Sequence, residues 1–67
     1  MSILEAIQKG KTFRTKSGFP ANFVILLPAD FPARILMEVN DDLESYYIDG
    51  KFNSPFESPL DLIINEL

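Results

Sequence analysis

The chain has 67 residues, a net charge of −4 and 46% apolar residues, and it contains no cysteine and no histidine. A chain of this length forms a single domain (residues 1–67) that buries only about 60% of the surface its unfolded form exposes. The composition excludes disulfides, thiolate metal sites and histidine-based zinc or iron sites, so stability must come from packing and self-association. Because the apolar content is high for so small a domain, we expect a homo-oligomer.

The same composition bears on location. The absence of cysteine suits a reducing cytoplasm. Residues 1–7 are too short and too polar for a signal peptide, and the longest apolar run, residues 23–27, is far too short to span a membrane. We therefore expect a cytoplasmic protein that makes no membrane contact.

Charge is unevenly distributed along the chain. Residues 1–34 carry five cations against two acids, a net +3, whereas residues 35–67 carry one cation against eight acids, a net −7. Either the two halves attract each other in the fold, or a small basic anion site lies beside an acidic face. The negative net charge and the lack of a long basic patch argue against duplex nucleic acid as a partner.

The first predicted element is a short helix at residues 2–9. Ser2 and Glu5 have the spacing of a capping box, and Gly10 can supply the left-handed residue that ends the helix. A helix of about two turns is unstable alone, so it must pack against the rest of the domain.

From Thr12 onward the pattern favours strands. Residues 12–15 and 21–27 are predicted strands, joined by a turn at residues 16–18. The second of these strands is apolar on both faces, so we expect cover on both sides. After a loop at residues 28–32, in which Phe31 is expected to pack back, the alternation over residues 33–39 predicts a third strand. It places four apolar residues on one face: Ala33, Ile35, Met37 and Val39.

The remaining elements form a predicted hairpin and an ambiguous end. Residues 40–42 are a predicted turn and residues 44–48 a strand, and Asp49-Gly50 is a strong two-residue hairpin signal. That hairpin would place Ile48 opposite Lys51 and Tyr47 opposite Phe52. Residues 60–65 suit a helix or a strand, and we favour a strand because Ile63 and Ile64 are β-branched.

Together these elements predict an α+β, mainly β fold. A short N-terminal helix precedes four to six antiparallel strands, arranged as a bent meander or small open barrel.

No pattern in the chain has the residues of an active site. Without histidine or cysteine, the common general base and the strongest nucleophile are missing. The acidic turn at Asp41, Asp42 and Glu44 lacks the spacing of a calcium loop. We therefore expect a protein that is not an enzyme, with no catalytic residues, no metal and no cofactor.

Two surfaces remain as candidate binding sites. The first is basic, because Arg14 can hold a phosphate or carboxylate with two hydrogen bonds while neighbouring lysines act as point charges and tyrosines offer rings for stacking. Its residues are Lys11, Arg14, Lys16, Arg34, Tyr46 and Tyr47. Such a site would take a small anionic, nucleotide-like ligand. The alternative is that these cations are surface charges that balance the acidic half of the chain.

The second surface is acidic and would bind a protein. Its residues are Glu38, Asp41, Asp42 and Glu44. Clustered carboxylates can imitate the phosphates of nucleic acid, so this surface suits an inhibitor that binds a basic protein.

The chain resembles a loose group of small bacteriophage and prophage proteins. Their pattern runs Ala-x-x-Gly-Lys, Thr-Arg-Asp-Gly, Ala-Arg-Ile-Leu, Tyr-Pro-Ile, Tyr-x-x-Asp-Gly-Lys-Tyr and Glu-Ser-x-x-Asp-Leu. The clearest counterparts here are Ala6-Ile7-Gln8-Lys9-Gly10-Lys11, Tyr46-Tyr47-Ile48-Asp49-Gly50-Lys51-Phe52 and Glu57-Ser58-Pro59-Leu60-Asp61-Leu62. The group's Arg-Asp turn is replaced by Lys16-Ser17.

The resemblance implies an origin and a class of activity. Small phage proteins of this kind often counter host defence in the host cytoplasm. Some sequester cyclic or ADP-ribose-type nucleotide signals in pockets between subunits, and others block a host enzyme. The resemblance therefore implies a non-catalytic nucleotide-binding sponge, with the acidic protein-binding inhibitor as the alternative.

Overall fold

The computed structural model describes residues 1–65 and contains one helix and five strands. The elements are α1 (Ile3–Gln8), β1 (Phe13–Thr15), β2 (Pro20–Leu26), β3 (Ile35–Val39), β4 (Asp42–Tyr46) and β5 (Leu62–Ile64). The strands form one open antiparallel sheet in the order β4-β3-β2-β1-β5. The predicted α+β, mainly β class is confirmed. Within the described residues, no helix is long and apolar enough to cross a membrane.

Helix α1 begins and ends where its capping signals indicate. The backbone N–H of Glu5 donates a hydrogen bond to the Ser2 hydroxyl at 3.1 Å, and Gly10 has a left-handed φ of +72°. Ile3 and Ala6 are the buried positions of the helix. This inward face docks the helix on the sheet, which a helix of six residues needs in order to persist.

The core lies on one face of the sheet. Alternation along β3 is confirmed, because Ile35, Met37 and Val39 are buried while Glu38 is exposed. The other buried apolar residues come from the helix and the neighbouring strands: Ile3, Ala6, Phe13, Ala21, Tyr46 and Leu62.

The β3–β4 hairpin is tighter than the sequence predicts. Val39 pairs with Asp42, so the turn contains only Asn40 and Asp41, whose φ angles are +51° and +68°. Two consecutive left-handed residues are typical of a type I′ turn, and asparagine and aspartate tolerate that conformation. The predicted strand at residues 44–48 was therefore placed two residues too late.

The predicted Asp49-Gly50 hairpin was wrong by one residue in register. Tyr47 donates its N–H to the carbonyl of Lys51 at 3.0 Å, so three residues form the bend, and Gly50 has a φ of +84°. Lys51 and Phe52 do not form a return strand. The N–H of Phe52 instead donates to the carboxylate of Asp61 at 2.9 Å.

The C-terminal segment forms β5, as preferred from its β-branched residues. It pairs antiparallel with β1 in a register that joins Phe13 to Ile64, Arg14 to Ile63 and Thr15 to Leu62. The crossover from β4 brings the last strand to the opposite edge of the sheet.

The expectation that β2 is covered on both sides was wrong. Ala21 is buried, but the strand residues from Phe23 to Leu26 are exposed. The physical reason is size, because one short helix and one core layer cannot cover both faces of the sheet. Phe31 is also exposed, so it does not pack back as expected.

Candidate functional site

Arg14 lies on the exposed face of β1, beside the last strand. Its Nη1 donates a hydrogen bond to Oδ1 of Asn65, and Asn65 Nδ2 donates to Thr12 Oγ1 at 3.0 Å. Arg14 borders an open depression of about 560 Å³ that is otherwise lined by apolar residues. These residues are Ile3, Leu62, Ile63 and Ile64. Arg14 thus supplies a cation at the rim of this open depression.

Lys16 is held by carboxylates at the other end of β1. Its Nζ lies 3.7 Å from Oδ2 of Asp61 and 3.9 Å from Oε2 of Glu57. Part of its charge is therefore already balanced within the chain. Lys11 is exposed and precedes β1.

Asp61 is the buried anion of this region. Its carboxylate accepts hydrogen bonds from the N–H groups of Phe52 at 2.9 Å and Ser58 at 3.1 Å. Burial acts to raise the pKa of the carboxyl group, but those hydrogen bonds, with Lys16 and Lys51, outweigh burial and lower the pKa. Asp61 therefore stays ionised and fastens the loop after Gly50 to β5.

Tyr46 belongs to the core. Its side chain is completely buried, and its ring meets that of Phe52 edge to face, with ring centroids 5.8 Å apart. Its hydroxyl has no hydrogen-bond partner within residues 1–65. Burial, together with the charges of Glu44 and Asp61, raises the pKa of Tyr46 to about 12. The ring is therefore not available to stack on a ligand at the surface.

The remaining members of the basic set lie apart from Arg14. Arg34 uses its Nε to bind the carbonyl of Leu27 at 3.1 Å, beyond the far end of β2, whereas Arg14 pairs with Pro20 at the start of that strand. A strand of this length spans roughly 20 Å. Tyr47 is half-buried in the bend after β4. The structure therefore does not gather the six predicted ligand-binding residues into one cluster.

The acidic residues, by contrast, lie together on the β3–β4 hairpin. We call Glu38, Asp41, Asp42 and Glu44 the acidic hairpin. Glu38 pairs with Leu43 on one face of the sheet, and Asp42 and Glu44 pair with Val39 and Met37 on the other, so the carboxylates lie on both sides of the Asn40–Asp41 turn. Within the described part of the chain, none of the four carboxylates forms a salt bridge.

Two shallow depressions border the acidic hairpin. One is lined by Pro20, Asn22, Glu38, Asn40 and Asp41, and the other by Phe19, Val39, Asn40, Asp42, Glu44 and Leu60. On the face of the hairpin that carries Glu38, Leu43 is 63% exposed. The hairpin thus combines negative charge with an exposed apolar side chain. In the described residues, no group of three or more acidic side chains is placed to hold a metal ion.

The sequence reasoning missed a third feature, the uncovered part of β2. Pro20 and Ala21 pair with β1, but residues 22–26 pair, among residues 1–65, only with β3. A register shift between Phe23 and Ile25 makes Val24 the extra residue of a β-bulge. A simple signal was available, because the predicted elements were too few and too short to cover both faces of a strand that has apolar residues on each face.

Comparisons with protein-family models, with curated proteins and with solved structures found no match to this chain. The function is therefore inferred from the geometry of the chain itself.

Proposed function

We propose that this chain is a non-catalytic binding protein that attaches to a positively charged surface of another protein through the acidic hairpin, and that it works as a homo-oligomer. The observation that carries the proposal is the set of four carboxylates on one hairpin, none of which has a salt-bridge partner in residues 1–65. Elsewhere in the chain, Asp61 and Glu57 are matched by Lys16. Charge left unmatched in the free protein is available to attract a partner and to set its orientation.

The composition of the hairpin supports a protein partner. Leu43 lies exposed beside Glu38 on one face of the hairpin, so a partner docked on that face would bury an apolar side chain next to a carboxylate. Specific interfaces commonly combine buried apolar side chains with polar groups at the rim. The resemblance to small phage proteins supports a host enzyme or defence protein in the host cytoplasm as the partner.

The non-catalytic part of the proposal is supported by the chemistry of the chain. Histidine and cysteine are absent from the sequence. Asp61, the buried carboxylate, has a lowered pKa and two backbone hydrogen-bond donors. A general acid needs the opposite shift, so Asp61 suits a structural role.

A pair of matched variants tests the acidic hairpin. Asp41→Asn with Asp42→Asn removes two of its charges, and asparagine tolerates the left-handed φ of Asp41. Asp30→Asn with Glu57→Gln removes two exposed charges elsewhere and changes the net charge equally. Each protein is immobilised, and binding from a bacterial lysate is measured at about 50 mM and about 500 mM salt, where screening differs strongly.

The expected result is a basic protein that binds the wild type and the control variant at low salt. Its recovery falls at least fivefold with the hairpin variant and at high salt. Equal loss with both variants would show a net-charge effect and would contradict a site on the hairpin. Binding that survives high salt unchanged would contradict an electrostatic surface.

A second function, nucleotide binding, is favoured by the position of Arg14. The guanidinium lies beside an open depression of about 560 Å³ that is also lined by aliphatic side chains. In this version of the proposal, the protein sequesters a small anionic nucleotide, with Arg14 holding a phosphate and the apolar residues of β5 contacting the base.

Calorimetry against cyclic dinucleotides and ADP-ribose tests this second function. Binding is expected for the wild type and for Lys9→Gln, and Arg14→Gln should weaken it at least tenfold, because a charged hydrogen bond is worth about 1.5–3 kcal/mol. If no heat of binding is measured with the wild type at high protein concentration, nucleotide binding is contradicted. The proposal for the acidic hairpin is unaffected by that result.

A further inference from the structure

We propose that two copies of this chain associate through the unpaired edge of β2, with residues 22–26 of the two copies running antiparallel across a two-fold axis. The proposal rests on the oligomeric part of the proposed function and assigns the interface. It does not involve the acidic hairpin or Arg14.

The edge itself is the first argument. Residues 22–26 pair with β3 on one side, while pairing with β1 ends at Ala21. A strand edge with unpaired backbone groups is a template for another strand, and proteins usually protect such edges with charges or prolines. The segment Asn22-Phe23-Val24-Ile25-Leu26 contains neither. The bulge at Val24 bends the strand, so it limits the paired length and makes side-chain contacts the main contribution.

The side chains are the second argument. Phe23, Val24, Ile25 and Leu26 are 40%, 48%, 53% and 39% exposed. Phe23 and Leu26 share the face of their partners Met37 and Ile35, whereas Ile25 lies on the opposite face with Leu36. Apolar surface is therefore left in water on both faces of one strand. A strand added beside β2 would cover both faces at once, whereas a partner docked on one face would cover only half.

The lack of charge in residues 22–26 indicates that a second copy of the chain binds this edge. Two-fold pairing places a segment against itself, so the segment must not repel its own copy. Residues 22–26 are uncharged and meet this condition. The free edge of β4 does not, because Asp42 and Glu44 would face the same residues of another copy, and like charges directly opposite are destabilising.

The exposed area sets the expected affinity. Taking roughly 150–250 Å² for an aromatic side chain and less for an aliphatic one, the four side chains leave on the order of 300 Å² of each copy in water. Two copies would bury about 600 Å² from these side chains, and the paired backbone and flanking residues raise the total toward the lower limit of about 1,000 Å² for specific interfaces. A dimer of this size should dissociate in the micromolar range, so its population should depend on concentration.

Analytical ultracentrifugation from about 5 μM to about 1 mM tests the dimer. The wild type should convert from monomer to dimer over this range. Ile25→Lys places a charge at the exposed edge and should raise the dissociation constant at least tenfold. Ile48→Lys is the matched control, because Ile48 is also 53% exposed but lies in the bend after β4, and its dissociation constant should stay within twofold of wild type.

Hydrogen exchange of the wild-type protein gives a test that needs no variant. Amides of residues 22–26 should become more protected as concentration rises, and amides of Asp42–Tyr46 should not. A monomer at 1 mM, concentration-dependent protection on β4 instead of β2, or an assembly that Ile25→Lys leaves intact would each overturn the proposal. In the monomeric Ile25→Lys protein, partner binding by the acidic hairpin can still be measured, so the two proposals fail separately.

Discussion

The two ends of β2 both carry apolar residues but have different surroundings. Ala21 lies between β1 and β3 and is buried, whereas residues 23–26 have β3 on one side only and are exposed. We call the part of the molecule around α1, β1, β5 and Gly50 the closed side, and residues 22–26 with the acidic hairpin the open side. The apolar composition of a strand thus indicates that its side chains need to be covered, but it does not indicate whether the same chain covers them.

The difference follows from the lengths of the elements. Helix α1 has six residues and β1 has three, and the inward helix residue Ile3 lies against Gly50 and Leu62. Those short elements cover the sheet near β5 and do not reach the far end of β2. The four predictions that follow test whether the two sides differ in stability as they differ in cover.

The largest expected effect comes from two isoleucines on adjacent strands. Ile35 is fully buried on the core face of the sheet, and Ile25 is exposed. Ile35→Ala should lower the free energy of unfolding by about 3 kcal/mol, and Ile25→Ala by less than about 1 kcal/mol. Urea denaturation at low micromolar concentration measures both in the monomer. Equal losses would show that residues 22–26 are covered within the monomer.

Asp61 should give the next largest effect. Asp61→Asn removes a charge and leaves a buried N–H of Phe52 or Ser58 without its acceptor, so it should cost about 2 kcal/mol at pH 7. The pKa of Asp61 is lowered in the folded state, so its stabilisation is present above the ordinary value near 4 and is lost as pH falls through the folded pKa.

The difference in free energy of unfolding between the wild type and Asp61→Asn, measured by urea denaturation, should therefore be smaller at pH 2 than at pH 7. Asp30→Asn, on an exposed loop residue, serves as the control and should change little at either pH. A difference that persists unchanged at pH 2 would contradict an ionised Asp61 as the origin of the stabilisation.

Substitutions at two glycines with left-handed backbones distinguish the cost of a steric contact from the cost of backbone strain. At Gly50, an added Cβ would lie 3.0 Å from Cγ1 of Ile3, whereas at Gly18 it would meet nothing within 4 Å. Gly18→Ala should cost about 1 kcal/mol from its φ alone, and Gly50→Ala about 2 kcal/mol because Ile3 must also move. Thermal unfolding of the two variants measures the difference. Equal costs would mean that α1 is not packed tightly on the closed side.

The smallest expected effect concerns Tyr46. Its pKa is raised to about 12, so the folded state favours the neutral phenol, and stability should fall by about 1 kcal/mol as pH rises from 10 to 11. Tyr46→Phe should abolish this loss and should cost little at pH 7, since the hydroxyl has no partner in residues 1–65. Tyr47→Phe is the control. Loss of stability above pH 10 that persists in Tyr46→Phe would assign it to another group.

Local signals in the sequence predicted most of the fold. Ser2, Glu5 and Gly10 act within one or two turns of the chain, and alternation along β3 reports a single buried face. The two bends were less predictable, because Asn40–Asp41 is one residue shorter and residues 48–50 one residue longer than the turns expected. Pairing with neighbouring strands selects among turns that one sequence can form.

The candidate sites depended on relations that a sequence does not contain. Asp61 was counted only as one acid of the acidic half, but it is a buried hydrogen-bond acceptor for Phe52, nine residues away. Arg14 and Arg34 were grouped by charge, although they lie near opposite ends of β2. The acidic hairpin stays together because its residues are close in sequence, which is the case that sequence reasoning handles best.

The pairing of β5 with β1 has a consequence for the order of folding. Arg14 and Asn65, which meet beside this pairing, are 51 residues apart, whereas the hairpins that join β2, β3 and β4 are local. Closing a long loop costs more chain entropy than closing a short one, and non-local contacts slow folding. The hairpins should therefore form first and the closed side last. During this interval the apolar edge of β2 is already assembled, so dilute conditions should favour refolding over aggregation.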